Sequence, residues 1–67
     1  MTVQDFYKVA GISEKIMIRK IVTENYDTYF KLLYDGSVDE LPLDLFEMNV
    51  LDIRISRETF SIIVTVD

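Results

Sequence analysis

With 67 residues the chain has room for one domain, residues 1–67, near the lower limit of what folds without a disulfide or a metal. It contains no histidine and no cysteine, which excludes the usual general base at neutral pH, a thiolate nucleophile, a disulfide and sulfur-ligated zinc. The 12 acids outnumber the 7 bases for a net charge of −5, and no apolar run approaches the roughly 18 to 20 residues of a membrane span.

The N-terminal "MTVQDFYKVAG" lacks the cationic and apolar regions of a signal peptide, so the expectation is a cytoplasmic domain. "TVQDFYKVAG" reads instead as a helix. Thr2 can cap it, and Asp5 in the first turn complements the positive end of the helix dipole. Val3, Phe6, Tyr7 and Ala10 share one face by their spacing, and Gly11 supplies the stop.

"EKIMIRKIVT" follows, of strand length and rich in β-branched residues, although neither of its faces is cleanly apolar. "ENYD" is turn chemistry and "TYFKLLY" a second strand, which predicts a hairpin. Pairing Thr23 with Thr28 places Val22 beside Tyr29 and Ile21 beside Phe30, on opposite faces. Near the end, Leu51, Ile53 and Ile55 alternate with polar residues, as do Phe60, Ile62, Val64 and Val66 with Ser61, Ile63 and Thr65. A two-residue connection at Arg57-Glu58 pairs Ile55 with Phe60, Ile53 with Ile62 and Leu51 with Val64 on one apolar face. Arg-Glu is poor type I′ chemistry, so a four-residue loop in the same register is the other option. The resulting expectation is an α+β domain: an N-terminal helix packed on a four-stranded antiparallel sheet of two hairpins. Hydrophobic residues form 49 % of the chain, and a homodimer is one way for so small a domain to hide them.

The stretch "YDGSVDELPLDLFEMNV" joins the hairpins. It holds Asp35, Asp39, Glu40, Asp44 and Glu47, and no base occurs between Lys31 and Arg54. Asp35-Gly36 reads as a turn, Pro42 suits a first helical position, and "PLDLFEM" reads as a short helix of about two turns. Its acid spacing does not match a calcium loop, so neither a metal nor any other cofactor is expected. As a connector it plugs one end of the sheet, with Leu43, Phe46 and Met48 as apolar anchors among the acids. As a decoy its carboxylates imitate phosphates and occupy a basic groove. Lys15, Arg19, Lys20 and Lys31 with Tyr26 and Tyr29 suggest a small stacking platform for single strands. Charges paired across a solvated sheet face account for them better, so direct nucleic-acid binding is not expected. Ser13, Ser37, Ser56 and Ser61 have no histidine to activate them.

The segment from Asp35, Gly36, Val38, Asp39, Leu41, Pro42, Leu45 and Val50 to Ile53, Ile55, Ile62 and Val64 resembles short uncharacterised proteins of phages and prophages of low-GC Gram-positive bacteria. The resemblance covers about half of the chain, residues 34–66. It implies a small accessory protein of a mobile element and carries no catalytic residue. Small acidic phage proteins include anti-CRISPR and anti-restriction inhibitors.

The expected function is therefore a non-enzymatic protein-interaction module that binds a host or phage protein or itself, through Leu43, Phe46 and Met48 rimmed by acids. The alternative is an inhibitor that sets Asp35, Asp39, Glu40, Asp44 and Glu47 in the basic groove of a nucleic-acid enzyme.

Overall fold

The computed structural model describes residues 1–9 and 15–67. Helix α1 spans Val3–Val9, and strands β1 (Lys15–Glu24), β2 (Asp27–Ser37), β3 (Val50–Ser56) and β4 (Ser61–Val66) form one sheet. Two 3₁₀ turns, Val38–Glu40 and Leu43–Leu45, lie between β2 and β3. The expected helix face at Ala10 and the stop at Gly11 fall outside the described residues.

The helix start is as the sequence suggests. The Asp5 carboxylate accepts from the Thr2 N–H at 3.1 Å, and the Thr2 hydroxyl accepts from the Asp5 N–H at 3.3 Å. These reciprocal bonds make a capping box. They hold the Asp5 carboxyl below its ordinary range, the bond from the Thr2 backbone being the largest cause. Two further N–H groups at this end, of Val3 and Gln4, donate to the carbonyls of Met48 and Phe46. The connector thus caps the helix, satisfying donors that a helix start otherwise leaves free.

The sheet is mixed rather than purely antiparallel, which corrects the expected architecture. The strand order is β2-β1-β4-β3, and β1 runs parallel to β4 between two antiparallel hairpins. Two physical features select this arrangement. A parallel pairing needs a crossover of about a dozen residues, and the stretch between Ser37 and Val50 has that length. Ile62, Ile63 and Val64 run consecutively, a β-branched run suited to an inner strand flanked on both sides. The connector is correspondingly a crossover with two single 3₁₀ turns, not the two-turn helix expected of "PLDLFEM".

The first hairpin has the predicted register, with Thr23 opposite Thr28, Val22 opposite Tyr29 and Ile21 opposite Phe30. Asn25 and Tyr26 form its two-residue turn, both at positive φ (51° and 69°), the type I′ geometry that matches strand twist. A bulge between Ile18 and Arg19 shifts the pairing, leaving Leu33 as the extra residue. Asp35-Gly36 is not a turn. Gly36 sits inside β2 without positive φ, and its role is close approach. A Cβ there would lie 2.8 Å from the Tyr34 hydroxyl, which donates to the Ser37 carbonyl at 2.7 Å.

The second hairpin is slipped by two residues from the expected pairing. Ile55 faces Ile62, and Ile53 faces Val64. Arg57 to Phe60 form a four-residue turn, with the Ser56 hydroxyl accepting from the Thr59 N–H at 3.4 Å. An even slip keeps the same face inward, but it carries Phe60 out of the strand to a left-handed position (φ 51°) where it is 83 % exposed. Leu51 is displaced by a second bulge, between Val50 and Asp52.

The core consequently lies under the helix and the central pair, not inside the terminal hairpin. Val3 and Phe6 from α1 meet Ile16 and Ile18 from β1, Val64 and Val66 from β4, and Val38 and Leu41 from the crossover. Leu51, Ile53 and Phe60, expected inside, are exposed, while Ile62 is half-buried against the core. The reason is coverage: α1 has only seven residues, and β3 is an edge strand beyond it. Removing one central aliphatic such as Ile18 should cost about 2–5 kcal/mol.

Candidate interaction surfaces

Every predicted acid lies in water, Asp35 near the end of β2 and the other four on the crossover. Asp35, Asp39, Glu40, Asp44 and Glu47 are all exposed, and among the described residues no three acids come together to hold a metal ion. Their field is nevertheless local. The Tyr34 phenol is pushed above its usual range, first by desolvation and then by the charges of Glu40 and Asp39.

The three apolar anchors separate. Leu43 is 77 % exposed at the start of the second 3₁₀ turn. Phe46 and Met48 are half-buried and pack on the core, with the Phe46 ring 5.0 Å from the Tyr7 ring. These two serve the fold, and of the three only Leu43 is turned fully to solvent.

A second surface did not stand out in the sequence. α1 and the crossover cover one face of the sheet, the face of Ile16 and Ile18. On the other face the register places Met17, Arg19 and Ile21 of β1 beside Asp35, Leu32 and Phe30 of β2, with Ile63 and Thr65 of β4 and Arg54 and Asp52 of β3. Phe30 is 53 % exposed, Leu32 56 %, and Ile21 is also exposed; Met17 and Ile63 are half-buried. An uncovered antiparallel face is ordinarily polar. This one carries a contiguous apolar stripe along β1 and β2.

Arg19 crosses that stripe. Its guanidinium carbon lies 3.9 Å from the Phe30 ring centre, and its Nε donates to the Thr65 hydroxyl at 2.9 Å. The flat cation holds the ring in one place, a contact worth about 0.5–1 kcal/mol at an exposed site. On this same face the Asp52–Arg54 pair at 2.7 Å is the one ion pair among the described residues.

The stripe continues onto an arm. β4 accompanies β1 only as far as Lys20, so residues 21–30 project as a two-stranded ribbon. Its tip is Tyr26, which is fully exposed at a positive φ that favours glycine or asparagine. The signal in the sequence was the failure of either β1 face to be cleanly apolar: Met17 and Ile21 belong to the open face, Ile16 and Ile18 to the core.

No described helix is long and apolar enough to cross a membrane. No protein-family model, no curated protein and no solved structure matches the chain.

Proposed function

We propose that the chain is a non-enzymatic interaction module that docks on a partner protein through the open face of its sheet. The observation that carries this reading is the apolar stripe of Ile21, Phe30 and Leu32, flanked by Met17 and Ile63, with none of the described elements layered over it. Rigid aromatic and aliphatic side chains with an arginine at their centre are the composition of an interface core. The absence of histidine and cysteine from the sequence and the resemblance of residues 34–66 to small phage proteins favour an accessory, non-catalytic role. In this reading the docking surface shifts from Leu43, Phe46 and Met48 to the sheet, because the last two residues are engaged by the core.

A second reading has its own support. Asp35 of β2 and the four crossover acids are exposed without an interleaved base, and the rise in the Tyr34 pKa that desolvation begins is increased by Glu40, Asp39 and Asp35. Such a surface suits the basic groove of a nucleic-acid enzyme.

Capture from host lysate with two variants separates the readings. Docking through the sheet predicts capture that survives high salt and is lost with Ile21→Lys plus Leu32→Lys. Mimicry predicts capture that fails in high salt and is lost with Asp39→Asn, Glu40→Gln and Asp44→Asn. Capture unaffected by the sheet substitutions would overturn the first reading.

A further inference from the structure

We infer that the outer edge of β2 is a self-recognition site, on which a second copy of the chain pairs antiparallel about a twofold axis at Tyr29. This goes beyond the partner reading and uses the edge of β2 rather than the open face of the sheet. β2 is an edge strand of 11 residues, and its first six, Asp27 to Leu32, are all exposed. Unpaired N–H and C=O groups along such an edge are a template for another strand. The arm also needs support, because a ribbon of two strands in water is marginal at best. Pairing two arms edge to edge makes four strands.

Charge selects the register. Lys20 lies directly opposite Lys31, a like-charge pair that cross-strand energetics disfavours, and no ion pair among the described residues relieves it. Asp27, Tyr29 and Lys31 share the helix-side face of the arm with Lys20. A twofold at Tyr29 sets each Lys31 opposite the other copy's Asp27, twice per dimer, with Tyr29 facing its own counterpart. A twofold at Lys31 would oppose two lysines. A twofold at Phe30 would set Lys31 against tyrosine and leave Asp27 without a cation. A twofold at Thr28 would set Lys31 against asparagine, and registers centred at Leu32 or beyond cross the bulge, so the two copies would match core-side residues with open-face residues. The Tyr29 register alone satisfies both the charges and the faces.

Area agrees. The chain exposes 4943 Å², whereas a folded monomer of this mass exposes about 4,400 Å². The surplus of about 500 Å² is of the order of one copy's share of a small interface.

Sedimentation of the whole chain, with far-UV circular dichroism to verify folding, tests the inference by charge exchange. The wild type should sediment as a dimer at high micromolar concentration. Lys31→Asp or Asp27→Lys alone should each weaken it by on the order of tenfold or more, and the double exchange should restore it, because two opposite pairs are then rebuilt. A monomeric wild type overturns the inference. So does a dimer indifferent to the single exchanges, or a folded double variant that stays monomeric. None of these outcomes touches partner capture by the open face, which Ile21→Lys and Leu32→Lys address separately.

Discussion

Replacing Gly36 by alanine probes a contact that no sequence pattern displays. The added Cβ would stand 2.8 Å from the Tyr34 hydroxyl oxygen and 3.1 Å from the ring carbon that bears it. The ring cannot stay, and leaving breaks the 2.7 Å bond to the Ser37 carbonyl. The lost bond costs about 1 kcal/mol, and an off-rotamer ring about 0.5–1.5 kcal/mol. Alanine returns about 0.4–1 kcal/mol by restricting the unfolded chain. The net expectation is a loss of about 1 kcal/mol, equivalent to about 4–8 °C in Tm for a domain of this size. In a Tyr34→Phe background the bond is already gone and the unanchored ring tilts away, so Gly36→Ala should cost little or nothing. Urea unfolding of the four proteins, followed by circular dichroism, gives the coupling, expected at about 1 kcal/mol. Equal costs of Gly36→Ala in both backgrounds, or a stabilised single variant, would refute the reasoning.

Tyr26→Gly should stabilise the fold by about 0.5–1 kcal/mol, because the side chain touches water only and its φ of 69° penalises any residue with a Cβ; a loss of stability in thermal melts would contradict the turn geometry. Phe60→Asn should change stability by less than about 0.5 kcal/mol, whereas Val64→Ala should cost about 2 kcal/mol, since one is exposed in a left-handed turn and the other fully buried; equal costs would restore the register in which Phe60 is a core residue. The Asp5 carboxyl is held below its ordinary value by the cap, so its contribution is present in full above the unfolded-state pKa, near 3.8, and disappears as pH falls through the lower folded-state value. The stability gap between wild type and Asp5→Asn should therefore stay constant from pH 7 to about 5 and close only in strong acid. A gap that widens on acidification would reverse the sign of the argument.

What the sequence displayed was local. The Thr2–Asp5 cap, the Val3–Phe6 face and the register of the first hairpin all depend on residues a few positions apart, where spacing and turn chemistry decide. The misread features depend on distant partners. Alternation marks Leu51, Ile53 and Ile55 as one face of a strand, but it does not tell whether anything lies over that face, and here the short helix stops short of it. Phe60 looks like a strand residue until the turn length is fixed, and Arg57-Glu58 gave little on which to fix it. The crossover acids could be placed in water from their number alone. Phe46 and Met48 could not be assigned, because an apolar side chain among acids reads equally as an anchor for a partner or as a plug for the core. The stripe of Ile21, Phe30 and Leu32 was hidden by Arg19 and Lys20, which interrupt the pattern of β1.

The parallel seam between β1 and β4 also dictates an order of events during synthesis. Arg19 and Thr65, bonded across that seam, are 46 positions apart. Each hairpin can close on its own within microseconds, yet the seam must wait for the whole crossover to be laid down. Until β4 leaves the ribosome, the inner edge of β1 has no partner strand and Ile16 and Ile18 lack Val64 and Val66 beside them, so the nascent chain exposes adhesive surface. Slow translation through residues 50–60 would lengthen that exposure, and a chaperone that grips bare strands would find its target there.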